Sequence, residues 1–292
     1  MPSTRDIRRR IKSVKNTAQI TKAMQMVAAA KMRKAQQAAL VGRPYAELLN
    51  EIMAHAAVGT VGFEHPLMKT RPVGKRLVIL VSSDRGLCGG LNSNLFREAA
   101  KFDKAATVFI TAGRKAAQFV ARTRRPLAAE FSYKDAPAFA EARAISKFAQ
   151  NLYLKGEADA VDILFTNYIS TLVQQPKIVP FLPIGKIAAA TAGVNAPAAA
   201  LPATRPENVF EFEPQAETVL GALLPHSLNF QMHQILLESK ASEQSARMVA
   251  MKNATDNAQQ IIKDLTLEYN KVRQANITKE LLEITTAQMA VG

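Results

Sequence analysis

At 292 residues, 48% apolar and with a net charge of +14, the chain has material for one large domain or two modest ones. No run reaches the ~18 apolar residues of a membrane helix, so contact with a membrane is expected only through partners. Cys88 is the single cysteine, which excludes an intrachain disulfide and points to a reducing, cytoplasmic compartment.

The charge is concentrated at one end. Residues 1–43 carry eleven basic side chains against Asp6 alone, a net +10 that leaves only +4 for the rest of the chain. A basic rod of this kind suits an acidic partner surface, nucleic acid included. The start MPSTRDIRRRIKSV superficially resembles a mitochondrial presequence, but it is already in phase with the helical repeat that follows and is assigned to the mature chain.

From Ser3 to Val41 there is neither Gly nor Pro, residues that cost about 1 and about 3 kcal/mol inside a helix. Ile7, Ile11, Val14, Ala18, Thr21, Met24, Ala28, Met32, Ala35 and Ala39 recur at steps of three and four and define one seam. Ser3 or Thr4 can cap the start, with Asp6 well placed in the first turn. Gly42-Arg43-Pro44 is expected to interrupt the helix, Tyr45–Ala57 to resume it, and Gly59, Gly62 and Pro66 to end it. The N-terminal helix is therefore assigned to residues 1–58.

Residues 59–185 change character and predict a Rossmann-like α/β domain with a mainly parallel sheet. The run Arg76–Ser82 has the composition of a strand buried on both faces. The Gly-rich turn Ser83–Leu91 follows it and then a helix from about Asn92 to Phe102. Thr107–Thr111 is a second strand with its helix at Arg114–Arg122. A further helix fits Ala138–Leu154, and Ala160–Thr166 is a third central strand. Gln175–Ile184, with three prolines, reads as an edge strand. Residues 186–209 form an Ala/Pro-rich tract with too few large apolar side chains to offset the entropy of ordering, expected to be a flexible insertion.

Residues 210–292 complete the chain as a second long helix that begins near Gln215, is irregular in its first turns at Gly221 and Pro225, and is well established by His226. From His226 to Val291 Gly and Pro are again absent, a stretch that would reach roughly 100 Å. A helix of that length needs a partner. Met248, Met251, Thr255, Ala258, Ile262, Leu265, Tyr269, Val272 and Asn276 alternate steps of three and four, a 3.5-residue repeat that predicts supercoiling. Pairing with the N-terminal helix of the same chain must be antiparallel; a homodimeric coiled coil is the alternative.

Chemistry is thinly represented. The Gly86…Gly89-Gly90 turn sits where an α/β fold binds phosphate, but it matches neither G-x-G-x-x-G nor G-x-x-x-x-G-K-[ST] and reads as a tight turn. His226 and His233 share a helix face without the further ligands a metal site needs. Cys88 reads as a small buried residue. No catalytic, cofactor-binding or metal-binding residue is expected, and no cofactor.

Three blocks carry a resemblance to a known family: ITKAMQMVAAAKMRKAQ (Ile20–Gln36), SSDRGLCGGLNSNL (Ser82–Leu95) and ESKASEQSARMVAMKNATDNAQQIIKDLTLEYNKVRQANITKELLEI (Glu238–Ile284). They resemble the gamma subunit of F-type ATP synthases, in order and spacing, over all of the chain but the Ala/Pro tract. The resemblance implies an antiparallel coiled coil inside a ring of three alpha and three beta subunits, with the α/β domain against the epsilon subunit and the membrane c ring. It implies one copy per complex and a rotor without bond chemistry of its own, by which proton-driven c-ring rotation imposes successive states on the beta sites. Met24, Arg247, Arg273, Gln274 and Thr278 match positions that contact beta subunits, and Phe210, Glu211 and Glu213 match the foot facing the c ring and epsilon. Within this resemblance the lack of a presequence points to a bacterial enzyme on the cytoplasmic face of the inner membrane, with a processed mitochondrial chain as the alternative. The cysteine pair of the chloroplast redox switch is absent. Two other readings compete: a basic coiled-coil nucleic-acid protein and a nucleotide-dependent enzyme built on the Gly-rich turn.

Overall fold

The computed structural model describes residues 3–58, 65–184 and 215–291. The elements are α1 (Thr4–Val58), β1 (Arg76–Val81), α2 (Leu91–Ala100), β2 (Thr107–Ala112), α3 (Arg114–Arg122), β3 (Leu127–Phe131), α4 (Phe139–Leu154), β4 (Ala160–Tyr168), β5 (Gln174–Leu182) and α5 (Ala216–Val291). A single turn of 3-10 helix at Pro66–Met68 precedes β1. Two compact units divide the chain, Met1–Ala29 with Arg247–Gly292, and Ala30–Ala246. Both long helices contribute to both units. Among the described residues no helix is long and apolar enough to cross a membrane.

In the first unit α1 and α5 pair antiparallel through the seams the periodicity predicts. Ile7, Thr21 and Ala28 on α1, and Met251, Thr255 and Ala258 on α5, are buried. Arg8 Nη2 donates to the Tyr269 hydroxyl at 2.7 Å, and the Thr21 and Thr255 hydroxyls meet at 2.7 Å. Moving thirteen residues up one helix moves fourteen down the other, the signature of opposed strands. The seam fades towards its end: Ile262, Leu265, Tyr269 and Val272 are half-buried and Asn276 is exposed.

In the second unit the sheet order is β3-β2-β1-β4-β5. β1 pairs in parallel with β2 and with β4, β2 in parallel with β3, and β5 runs antiparallel on β4 as an edge. Helices cover both faces. Leu95 and Ala99 of α2 and Ala116 and Val120 of α3 pack on Val78, Leu80 and Phe109. On the other face Ala142, Ile145 and Tyr153 of α4 join Leu224, Leu228, Met232 and Leu236 of α5 over Leu77, Ile79 and Ile163.

Three local expectations are corrected. Gly42-Arg43-Pro44 does not break α1, which is continuous with Pro44 inside it. Proline costs about 3 kcal/mol there, and the turns beyond it outweigh that loss. Leu49 and Met53 are buried, at about 1.5–3 kcal/mol each, and the Tyr45 ring lies 4.9 Å from that of Phe230. Gly42 marks a close approach: a Cβ there would meet the end of the Gln234 side chain at 2.0 Å.

Likewise Gly221 and Pro225 lie inside a continuous α5 that begins at Ala216, held by the buried stripe Leu220, Leu224 and Leu228. The third correction is an unforeseen strand, β3. Its sequence, LAAEF, lacks β-branched residues, is largely exposed and, among the described residues, pairs with β2 alone. Strand propensity could not reveal it. The Ala/Pro tract 186–209 lies outside the described residues, as do Phe210, Glu211 and Glu213.

Candidate functional site

The carboxyl end of β1 is where an open α/β sheet would hold a ligand, because the strand order reverses between β1 and its two neighbours. Here the polar groups of the turn that follows β1 are already engaged, whereas Thr111 Oγ1 on β2 and Thr166 Oγ1 on β4 are buried without a hydrogen-bond partner. Ser82 Oγ accepts from the Ala116 amide at 2.7 Å and Asp84 Oδ1 from the Arg114 amide at 2.9 Å, so the β1 end caps the start of α3. Asn92 Nδ2 donates to Ser83 Oγ at 2.7 Å and to Cys88 Sγ at 3.3 Å.

Gly113, with φ of 104°, lies so close to β1 that a Cβ would come within 2.3 Å of the Ser82 carbonyl oxygen. The turn Ser83–Gly90 is tight, with Leu87 at φ 63° and Gly89 at φ 59°. Ala246 of α5 packs on buried Cys88 and on Leu91. Tyr133 follows β3 and donates to the Ser82 carbonyl at 2.9 Å. Burial drives its phenol pKa well above the ordinary value, with Glu243 and Asp84 adding to the shift, so it remains a neutral donor. The turn is a structural joint, as its departure from phosphate-binding patterns predicts.

The two histidines of α5 also have local partners. His226 Nε2 lies 2.6 Å from the Tyr45 hydroxyl, and His233 Nε2 lies 3.1 Å from the Pro137 carbonyl oxygen. The Phe139 ring stands beside both, at 5.9 and 5.7 Å. They join α1, α4 and α5 within the second unit.

The surface candidates separate into distinct settings. Met24 is half-buried in the α1 seam, and Arg247 is buried at 9% exposure. A solvated helix face does not describe either. Arg273, Gln274 and Thr278 are exposed, with the Thr278 hydroxyl turned back to the Gln274 carbonyl at 3.0 Å.

From Arg273 to Met289 every residue of α5 is exposed. That stretch carries Ile277 at 49%, Leu281 at 58%, Leu282 at 59%, Ile284 at 62% and Met289 at 85%. Apolar side chains presented together on one helix end mark an interaction surface. Reading the sequence by seam missed this group. Its signal was the persistence of large apolar residues after the seam ends at Asn276.

Internal satisfaction of the polar turn, paired terminal helices and an unpartnered apolar helix end define a mechanical, partner-binding class of chain. Residues 3–291 match the family model described as ATP synthase. The ATP synthase gamma chain of Opitutus terrae is 48% identical over 100% of both chains, and that of Methylacidiphilum infernorum 45% identical over 100% of both. Among solved structures, a central stalk/c-ring chain of Tetrahymena thermophila mitochondrial ATP synthase is 25% identical, with a TM-score of 0.58 over 80% of this chain and 99% of that one. A chain from the OSCP/F1/c-ring structure of Euglena gracilis mitochondrial ATP synthase shares the fold at 20% identity, with a TM-score of 0.68 over 99% of this chain and 94% of that one.

The chain belongs to the ATP synthase gamma chain family. Its role is that of a central-stalk rotor subunit, non-catalytic in itself.

Proposed function

We propose that the chain transmits rotation of a membrane c ring to the beta catalytic sites of a head of alpha and beta subunits, with epsilon beside it. The observation that carries this reading is the exposed stretch Arg273–Met289, in which Ile277, Leu281, Leu282, Ile284 and Met289 face solvent among polar residues. Apolar contact without fixed polar pairing holds a turning helix while leaving it free to slip, because such packing is non-directional.

Polar groups on that surface supply the discrete contacts. Arg273, Gln274 and Thr278 take the role of transient partners for beta-subunit loops, and Met24 and Arg247 that of further beta contacts. Phe210, Glu211 and Glu213 belong to the foot that meets the c ring and epsilon. The working parts are residues 1–58 and 210–292 as the paired helices and 59–185 as the α/β domain, with 186–209 as an insertion. The complex lies on the cytoplasmic face of a bacterial inner membrane, one copy of this chain in each.

Reconstitution with the alpha and beta subunits tests this reading. Addition of the chain is expected to produce a stoichiometric complex with raised ATPase activity. Complex formation and ATPase activity indifferent to the chain would contradict it. Tight, steeply salt-dependent binding to DNA without any subunit requirement would favour the nucleic-acid reading instead.

A further inference from the structure

Every residue of α5 from Ile235 to Ala246 is buried, although Glu238, Lys240, Glu243, Gln244 and Ser245 fall within that span. A helix enclosed all round is normally apolar all round. This segment departs from that rule directly after the apolar stripe that ends at Leu236.

Its contacts come from several elements of the second unit. Lys240 Nζ lies 3.0 Å from Glu243 on the same helix, 3.6 Å from Asp135 in the loop before α4, and 4.9 Å from the centre of the Tyr133 ring. Asp135 is also paired with Lys31 of α1. Glu238 Oε1 accepts from the Tyr168 amide at the end of β4, at 3.3 Å. Ser245 Oγ donates to the Thr171 carbonyl at 2.8 Å and accepts from Gln174 Nε2 at 3.4 Å, both in the β4–β5 hairpin. Through Tyr133 and Ala246 the same turns of α5 reach the end of β1 and the Gly-rich turn. The crevice at the strand ends, where an open α/β sheet accepts a ligand, is filled by the chain's own polar helix.

We propose that Glu238–Ser245 is a rotational lock that fixes the angle of α5 about its own axis against the sheet, with Lys240 as its central positioning residue. The proposal rests on the rotor reading. The stripe Leu224–Leu236 already opposes a large roll through the apolar area it would expose, but apolar packing is non-directional and leaves the fine angle to the polar turns that follow. The polar turns admit one angle only. A one-residue roll of about 100° would carry the Lys240–Glu243 pair away from Asp135 and Tyr133, and Glu238 away from the Tyr168 amide. Buried charges would then lie without their partners outside the helix, which is strongly unfavourable. Fixing register is the best-attested use of buried polar groups. Torque applied to the sheet thereby passes into a helix that continues unbroken to Val291.

The test uses the whole complex in sealed vesicles, measuring ATP hydrolysis and ATP-driven proton pumping on the same preparation. Lys240→Met keeps most of the unbranched apolar stem and removes the ammonium group with its charge. Hydrolysis is expected to stay within about twofold of the parent, while protons pumped per ATP fall at least about threefold. Lys240→Arg should recover more than half of that loss. Unchanged pumping per ATP in an assembled Lys240→Met complex would overturn the lock, as would losses of hydrolysis and pumping in strict proportion. Should Lys240→Met fail to assemble, Ser245→Ala, which removes the hairpin contacts, is judged by the same ratio. Failure of the parent chain itself to support pumping would sink the rotor reading, a result distinct from failure of the lock.

Discussion

Thr21 of α1 and Thr255 of α5 hold their hydroxyls 2.7 Å apart within the buried seam of the first unit. Each has a second acceptor on its own helix: Thr21 the Ala18 carbonyl at 3.1 Å, and Thr255 the Met251 carbonyl at 2.8 Å. One proton therefore crosses the pair while the other stays within its helix. The contact fixes the register of two helices whose other buried seam residues are mostly small or flexible.

Replacing either threonine by valine is expected to cost about 0.5–1.5 kcal/mol, the net value of one hydrogen bond. The remaining hydroxyl keeps its intrahelical acceptor, so the larger penalty of a stranded group does not arise. The double variant should lose less than the sum of the single ones. Urea unfolding of all four chains in a double-mutant cycle measures the coupling, and additivity would show that the two hydroxyls do not interact.

Two glycines should respond to alanine with opposite signs. Gly113→Ala forces a Cβ to within 2.3 Å of the Ser82 carbonyl oxygen at a φ of 104°, and is expected to cost at least about 2 kcal/mol. Gly221→Ala meets nothing within 4 Å inside α5 and should stabilise by about 0.5–1 kcal/mol. Thermal melts of the two variants against the parent settle both signs.

Asp135 provides an acid-side prediction. Its hydrogen bond from Lys31, with help from Lys240, lowers its carboxyl pKa, against a smaller opposing effect of burial. A depressed folded-state pKa means that the stabilisation is complete above the ordinary carboxylate range near about 4. It is lost as pH falls through the folded value. The Asp135 side chain is 57% exposed, so solvent screening holds the effect below about 1 kcal/mol. Asp135→Asn should flatten the stability profile below pH ~4 and lower the plateau above it; equal displacement at every pH would contradict the assignment.

Arg273→Ala and Gln274→Ala alter exposed positions and should change folding stability by no more than about 0.5 kcal/mol. Coupled turnover in the complex is expected to fall by several-fold or more. Parallel loss of stability and activity would reduce both residues to a structural role.

Periodicity made the helix pair legible, because steps of three and four survive in sequence whatever surrounds them. All ten α1 seam positions from Ile7 to Ala39 are buried or half-buried. The central strands were legible for a similar reason: β1, β2 and β4 are short apolar runs. What could not be read depended on tertiary partners. Pro44 looks like a helix breaker, and Pro225 like a source of irregular turns, until Met53 and Leu224 are seen in the sheet core. β3 exists through its ladder to β2. The burial of Lys240 and Glu243 reverses what their charge suggests, since only assembled partners make it tolerable. Arg273, Gln274 and Thr278 entered through resemblance, because an exposed polar residue on a helix carries no local mark of its use. The exposed apolar residues between Ile277 and Met289 are visible in the sequence, but they lie outside the seam, so periodicity does not mark them.

Rotation of this chain inside the complex can be watched directly. Cys88 is the sole cysteine and is buried, so Lys104→Cys at an exposed turn offers one accessible thiol for a visible probe. With the alpha and beta subunits immobilised and ATP supplied, the probe is expected to revolve in one direction, pausing three times per turn. A probe that stays stationary while the same complexes hydrolyse ATP at the full rate would contradict the account.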